Sequence, residues 1–210
     1  PGEIDFQSAT FSGGGSNLTV SGIKAISDGA VNTLALEGRL NLALLNAIPQ
    51  ISATDTFFGG FADVSLRFSG VNRNARASGT AQMQNSNIGT FIGGSRLNFE
   101  RVNGRILFTS NQAQIDTAEG YLGGGRFIAN GGVLFGQRLQ VDSFRIAVDG
   151  TNVTVPLPAD FITTGDANLE LSGRRFNSNR IVQITGNLRA RRSLYSKDIE
   201  LANILSGRRE

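Results

Sequence analysis

The sequence predicts an all-β fold with one continuous sheet, and three observations support this. Apolar and polar residues alternate with a period of two along much of the chain, as they do in half-buried strands. Glycine is abundant, at 27 of 210 residues, and proline occurs only 4 times, which suits strands joined by tight turns. Hydrophobic residues make up 40% of the chain and charged residues 18%, so the chain can bury a sizeable apolar surface and is not disordered.

The clearest strand lies in residues 33–44. Its polar side chains fall on one face and its leucines on the other, namely Leu34, Leu36, Leu40, Leu42 and Leu44. Residues 42–51 also allow a short helix ended by Pro49, or simply the end of this strand. The same alternation predicts strands in residues 64–68, 97–99, 127–135, 139–141, 169–171 and 184–190. Residues 198–205 fit neither period.

Some strands change parity partway. Leu97 and Phe99 occupy odd positions, whereas Ile106 and its apolar neighbours occupy even ones. A shift of one residue would turn the apolar side chains to the opposite face of the sheet. We therefore expect a β-bulge or a turn near residues 100–101 and, by the same reasoning, another near residues 142–143. Because bulges bend strands, the sheet should curve.

Glycines recur inside the predicted strands, where they commonly mark a bend or a close backbone approach. Their repetition predicts a fold line along the sheet formed by Gly22, Gly38, Gly70, Gly79, Gly104, Gly131, Gly173 and Gly186. The run Pro156-Leu-Pro158 is expected to be an extended breaker between parts of the sheet. The glycine runs at 13–16 and 123–126 lack the ending of a phosphate-binding loop and are expected to be turns.

The residue types required for most catalysis are missing. Cysteine, histidine and tryptophan are absent, which excludes disulfides, thiol nucleophiles, Cys/His zinc sites and imidazole bases. The carboxylates Asp116, Glu119, Asp142, Asp149 and Asp166 are scattered singly, without the spacing of a calcium loop or a glycosidase pair. We predict a protein that is not an enzyme and has no catalytic residues, metal or cofactor.

Positive charge is concentrated at the C-terminal end. Residues 171–210 contain nine basic and three acidic residues, a formal net charge of +6, although the whole chain carries +3. This end would suit lipid phosphates or an acidic partner; the alternative is a solvated strand face. Nucleic-acid binding is not expected, because only Phe176 and Tyr195 stand near the arginines as stacking platforms.

No window approaches the roughly 18 apolar residues that a membrane span needs. The chain begins at Pro1, so we expect residues 1–210 to be a single segment excised from a longer protein, with any anchor outside it. The apolar face of the predicted sheet has two possible roles. It would pack on a second sheet about 10 Å away in a sandwich, or it would line a groove in an open trough.

Several phrases of the sequence resemble the AsmA-like superfamily and, within it, the TamB domain family. They are GRLNLALLNAIP at 38–49, LNFERVNGRILF at 97–108, the Gly-rich turn between strands at 118–134, and ITGNLRARRSLY at 184–195. Each phrase is a short strand repeat, but their order along the chain is more specific. The resemblance covers about residues 32–205.

The resemblance implies one long antiparallel sheet rolled into an open trough, the β-taco, with an apolar interior. It implies a periplasmic segment of a protein anchored in the inner membrane of a Gram-negative-type cell, moving phospholipid between membranes. It also implies an outer-membrane barrel partner of the Omp85 type, contacted through a C-terminal part outside this chain. The alternative is a chaperone-like module that assists outer-membrane protein assembly by edge-strand pairing.

In this interpretation phospholipid acyl chains contact the apolar wall of the trough. The expected groove-lining residues are Leu34, Leu36, Leu40, Leu42, Val64, Leu66, Phe68, Leu97, Phe99, Ile106, Phe108, Phe127, Val133, Phe135, Leu169, Leu171, Ile184 and Leu188.

Overall fold

The computed structural model describes residues 2–27, 29–47, 56–71, 74–92, 95–137, 140–157, 161–176 and 179–195. These residues form eleven strands and one 3-10 helix, Leu42–Ala47. The strands are β1 Glu3–Gly13, β2 Ser16–Ala25, β3 Val31–Asn41, β4 Phe57–Val71, β5 Arg76–Ile92, β6 Ser95–Ser110, β7 Gln112–Leu122, β8 Gly125–Phe135, β9 Val141–Leu157, β10 Phe161–Phe176 and β11 Asn179–Tyr195. Within these ranges, no helix has the length and apolar character required to cross a membrane.

All eleven strands belong to one antiparallel sheet, and they follow one another in chain order. The predicted all-β fold with one continuous sheet is therefore confirmed, and in the part of the chain described here no second sheet covers it. The sheet is open, since β1 and β11 form its two edges. Pro156 lies within β9 and pairs with Ile162 of β10, so the sheet continues past the expected breaker. Pro158, like residues 198–205, lies outside the described residues.

The two faces of the sheet differ in polarity. Cross-strand neighbours on the inner face are apolar, as in the pairs Leu36–Leu66 and Ile106–Ile115. The outer face carries exposed ion pairs such as Glu119–Arg126, whose closest N–O distance is 3.1 Å. Such pairs contribute little to stability. The sheet is held together instead by its hydrogen-bond ladders and by the packing of the inner face.

A line of β-bulges crosses the sheet. Register shifts coincide with Gly60 of β4, Asn85 of β5, Arg101 of β6, Asn152 of β9 and Arg191 of β11. We call these five positions the bulge line. Its first four residues have positive φ angles of 90°, 48°, 51° and 56°. Since a bulge bends its strand and increases the local twist, the sheet folds along this line.

The two positions predicted from parity both carry bulges. One lies at Arg101, where the register of β6 shifts against β5 and β7. In the other, Leu134 pairs with Ser143 and Phe135 pairs with Val141, so Asp142 is the additional residue of β9. Each bulge keeps the apolar side chains of its strand on the inner face despite the change of parity.

The expectation that interior glycines form the fold line was wrong. All eight lie within strands, but at different distances from the bulge line. Gly79 is six residues from Asn85 along β5, whereas Gly104 is three residues from Arg101 along β6. Most of them lie beside larger apolar side chains on the inner face; Gly79, for example, pairs with Leu66 and Phe108.

The curvature brings separated strands together. In a flat sheet β6 and β9, which have β7 and β8 between them, would lie about 14 Å apart. Their Cα atoms instead approach within 8 Å. The fold is therefore a bent trough rather than a closed sandwich or barrel.

The 3-10 helix Leu42–Ala47 follows β3 and packs against β4. Its Asn46 side chain donates to the carbonyl of Phe58 at 2.9 Å and accepts from the N–H of Phe58 at 2.8 Å. At this end of β4, the side-chain amide thus makes the pair of backbone hydrogen bonds that a neighbouring strand would otherwise make. The short helix predicted within residues 42–51 is present as these six residues, and residues 48–51 lie outside the described part.

Candidate functional site

The most buried large apolar side chains of the trough flank the bulge line. Val102 is 1% exposed, Val153 2% and Phe127 4%. The Phe99 and Phe127 rings meet edge to face, with centroids 5.1 Å apart. These side chains belong to one cluster that we call the crease core: Leu42, Ala62, Val64, Met83, Val102, Ala118, Leu122, Phe127, Ala129 and Val153. The crease core holds the folded sheet together.

Small residues allow this tight packing. Gly120 and Gly150 pair with Phe127 from the two neighbouring strands. A Cβ atom added to Gly120 would lie 2.9 Å from the Phe127 ring, which is closer than van der Waals contact. Likewise, a Cβ atom on Gly150 would lie 2.9 Å from a methyl group of Val153. The glycines therefore create the space that the large side chains fill.

Farther from the bulge line, most large side chains of the inner face are half-buried, although the small residues Ala77 and Ala113 are buried there at 6% and 5% exposure. Apolar side chains continue there along β2 to β11, for two to four residue pairs beyond the crease core. On β11 these side chains are exposed. We call them the open strip: Leu18, Leu34, Leu36, Leu66, Phe68, Ala81, Ile106, Phe108, Ile115, Val133, Phe144, Ile146, Leu171, Val182 and Ile184. Nine strand spacings separate its ends, a contour of about 43 Å.

The open strip is a candidate binding surface. Its side chains line one wall of the trough and are partly exposed, although some of them, such as Leu36, Leu66 and Ile106, also pack against the crease core. At the β11 end, exposure rises to 54% for Val182 and 45% for Ile184. A partly exposed apolar surface of this length is a candidate site for an apolar ligand or partner.

Some of the residues predicted from the sequence lie in the crease core or the open strip, and six lie beside them: Leu40, Leu97, Phe99, Phe135, Leu169 and Leu188. All except Leu42 lie on the inner face of a strand, as the alternation implied. Three of them are buried in the crease core, namely Leu42, Val64 and Phe127 at 5%, 6% and 4% exposure. Ile184 and Leu188 are exposed at the β11 edge, at 45% and 40%. The others are half-buried: Leu34, Leu36, Leu40, Leu66, Phe68, Leu97, Phe99, Ile106, Phe108, Val133, Phe135, Leu169 and Leu171.

Leu42 departs from the prediction because β3 ends at Asn41 and the chain turns into the 3-10 helix. Its side chain then enters the crease core from outside the strand ladder. Leu44, which continued the same alternation, is 53% exposed. The period-two pattern in the sequence thus extends beyond the residue at which the strand ends.

Polar residues on the inner face lie mainly at its margins and are hydrogen-bonded. Asn32, only 5% exposed, accepts from Lys24 Nζ at 2.8 Å and donates to the carbonyl of Gly70 at 2.9 Å. Ser86, fully buried at the bulge line, donates to the carbonyl of Phe61 at 3.0 Å. The open strip itself consists of carbon side chains, so it offers contacts but no hydrogen bonds.

Sequence reasoning missed the polar residues that fix the bend. Asn103 accepts a hydrogen bond from the N–H of Asn85 at 3.0 Å, and Asp166 accepts one from the N–H of Asn152 at 3.0 Å. Asp166 also binds Arg191 of the next strand, with an N–O distance of 2.6 Å. Only the pairing register places these side chains opposite the bulges, and that register is not readable from local sequence.

The titration of Asp166, beside the bulge line, is perturbed. The hydrogen bond from the Arg191 side chain lowers its pKa below the ordinary value of 3.8, and the N–H of Asn152 lowers it further. Asp166 therefore remains a carboxylate at neutral pH and joins β9, β10 and β11 across the bend.

The outer face has a depression of about 700 Å³ across β7 to β11. Its lining combines polar side chains such as Gln112 and Glu170 with apolar ones such as Leu134 and Phe144, of which Phe144 also belongs to the open strip. Across the described residues, no group of three or more acidic side chains is placed to hold a metal ion.

Comparisons with protein-family models, with curated proteins and with solved structures gave no match to this chain. The resemblance to the AsmA-like superfamily thus stands on the sequence phrases given above, and the function has to be argued from the shape and chemistry of the trough.

Proposed function

We propose that this chain is a non-enzymatic segment of a lipid conduit, in which the acyl chains of phospholipids lie against the open strip. The observation that carries the proposal is the combination of a crease core that is closed and an adjoining apolar strip that is not. A protein that needed only a stable fold would have little reason to leave such a strip uncovered.

The chemistry of the strip suits hydrocarbon. Its large side chains are Leu, Ile, Val and Phe, and the whole chain has 14 Phe but only 2 Tyr and no Trp. Moving one methylene group from water to an apolar surface stabilises by about 0.8 kcal/mol when burial is complete. An acyl chain that contacts the strip on one side would gain a fraction of this per carbon, which favours binding but still permits sliding.

The open side of the trough suits the other end of a lipid. Head groups would remain in water at the lip while the acyl chains lie inside, so no polar group has to be buried. The resemblance to the AsmA-like superfamily supports placing the segment in the periplasm, between an inner-membrane anchor and an outer-membrane barrel protein of the Omp85 type. No chemical reaction is needed for this role.

The proposal is tested by native mass spectrometry of the purified chain, together with solvent extraction of bound lipid. Co-purifying phospholipid, displaced by added fatty acid, is the expected result. A lipid-free chain that also fails to take up a fluorescent fatty acid would contradict the conduit and favour a purely structural sheet.

A second candidate function is edge-strand pairing with unfolded strands of outer-membrane proteins. The observation that favours it is the length of β11, which spans Asn179–Tyr195 at an edge of the sheet. Its Arg191 bulge is the one irregularity in its pairing with β10, and natural edges are usually better protected. A strand-forming peptide that protects β11 amides from hydrogen exchange, in chain freed of lipid, would support this role.

A further inference from the structure

The end of the β10–β11 hairpin carries four exposed large apolar side chains. They are Phe161 and Ile162 at the start of β10, and Leu194 and Tyr195 at the end of β11, with exposures of 42%, 40%, 49% and 50%. We call these four residues the apolar tip. Phe161 pairs with Tyr195 and Ile162 pairs with Leu194 in the strand register.

The apolar tip breaks the alternation that governs the rest of the sheet. Neighbouring pairs in a strand ladder point to opposite faces, so the Phe161–Tyr195 pair and the Ile162–Leu194 pair expose apolar surface on both sides of the hairpin. The two rings of the first pair contact each other, with centroids 5.1 Å apart. A strand end that was surrounded only by water would carry polar side chains on at least one face of the hairpin.

Arginines lie directly behind the apolar tip. Arg189 and Arg192 are exposed and lie on the outer face of β11, and Arg192 is three residues from Tyr195, about 10 Å along the strand. Arg191 is bound to Asp166. No acidic residue occurs in residues 161–165 or 189–195, so this end of the hairpin is basic as well as apolar.

We propose that the apolar tip docks this segment onto the surface of a bilayer that contains anionic lipid. Aromatic and aliphatic side chains enter the interfacial region of a bilayer, and arginines behind them contact the phosphates. The charge and the apolar surface point to the same occupant, since a neutral apolar partner would leave the arginines without a role. The groove residues are not involved, so docking is independent of acyl-chain binding in the trough.

Binding of the full chain to vesicles tests this proposal. We expect the chain to sediment with vesicles of equal parts phosphatidylglycerol and phosphatidylcholine in 0.1 M salt, and much less with pure phosphatidylcholine. Because the chain has no tryptophan, Tyr195→Trp provides a single reporter, whose emission should shift to the blue with anionic vesicles. Phe11→Trp, at an exposed site of β1 (56%), should show no shift.

Paired substitutions separate the two contributions. Phe161→Ser with Tyr195→Ser should weaken vesicle binding roughly tenfold or more, whereas Leu107→Ser with Ile128→Ser should not, although those residues are similarly exposed at 43% and 45%. Arg189→Gln with Arg192→Gln should weaken it about 25-fold, or about fivefold for each arginine. The same loss of charge through Arg67→Gln with Arg105→Gln, on other parts of the outer face, should have a much smaller effect.

Several outcomes would overturn the proposal. One is wild-type chain that does not bind anionic vesicles, and another is equal loss of binding in the tip and control variants. A third is concentration-dependent dimerisation that the serine variant abolishes while vesicle binding is absent, which would make the tip a contact between copies. The serine variant should still take up fatty acid, so failure of docking and failure of the conduit are distinguishable.

Discussion

The side-chain carbonyl of Asn103 accepts a hydrogen bond of 3.0 Å from the backbone N–H of Asn85. The arrangement is reciprocal, because the N–H of Arg101 donates to the side chain of Asn87 at 3.4 Å. Each of β5 and β6 thus supplies a bulged residue and an asparagine that binds the bulged residue of its neighbour. The bend of the trough is therefore specified by polar groups on its outer face as well as by apolar packing inside.

Asn103→Ala should destabilise the fold, because the N–H of Asn85 would lose its acceptor. The expected change in the free energy of unfolding is about 1 kcal/mol, the value of a typical hydrogen bond, measured by urea denaturation. Gln84→Ala is a suitable control, since Gln84 is exposed and makes one long hydrogen bond of 3.3 Å to Asp63. Equal destabilisation by both substitutions would argue against a specific role of Asn103 at the bend.

Asp166 should make stability depend on pH in the acid range. Its pKa is lowered in the folded state, so the folded protein binds fewer protons than the unfolded chain. The stabilisation is complete above the ordinary pKa of about 3.9 and is lost as pH falls through the lower folded-state pKa. Asp166→Asn keeps an acceptor for the Asn152 N–H and should flatten this part of the pH profile. An unchanged profile in urea unfolding between pH 2 and pH 5 would refute the assignment.

Gly38→Ala should be strongly destabilising. Gly38 has a φ of 126°, a conformation that side chains rarely adopt, and a Cβ atom there would collide with the carbonyl oxygen of Asn17. We expect a loss of about 2 kcal/mol or more in the free energy of unfolding. The matched control is Gly13→Ala, where nothing lies within 4 Å of the added carbon. If both variants unfold at the same urea concentration, the strain at Gly38 is not as described.

The distinction between crease core and open strip predicts different effects of the same substitution. Leu122 is 8% exposed and belongs to the crease core, so Leu122→Ala should lower the free energy of unfolding by about 3 kcal/mol. Leu66 is half-buried in the open strip, so Leu66→Ala should lower it by about 1 kcal/mol. Thermal unfolding of the two variants beside the wild type measures this contrast, and equal losses would indicate a single closed core.

Local sequence was sufficient for seven of the eleven strands and for two of the bends, but not for β1, β2, β5 and β7. The alternation in residues 33–44 placed Leu34 and Leu36 on one face, and the parity change after Phe99 located the bulge at Arg101. These properties depend only on the two-residue period of a strand, which can be recognised from neighbouring residues in the sequence.

How deeply each apolar side chain is buried in the trough could not be predicted from local sequence. Phe127 and Phe108 occupy equivalent positions in their alternating patterns, yet Phe127 is buried in the crease core and Phe108 lies in the open strip. The difference comes from how close each residue lies to the bulge line in the folded sheet. The pairing of Asn103 with Asn85 was hidden for the same reason, since it depends on the register between two strands.

The most direct test of the account is the uptake of a fluorescent fatty acid by Phe68→Glu, with Val102→Glu as the contrast. Phe68 lies in the open strip, so a carboxylate there should reach water, preserve the strand circular-dichroism spectrum and abolish or greatly weaken fatty-acid binding. Val102 is 1% exposed, so a carboxylate there should unfold the chain. Phe68→Glu that folds and binds fatty acid as well as the wild type would contradict an acyl-binding strip.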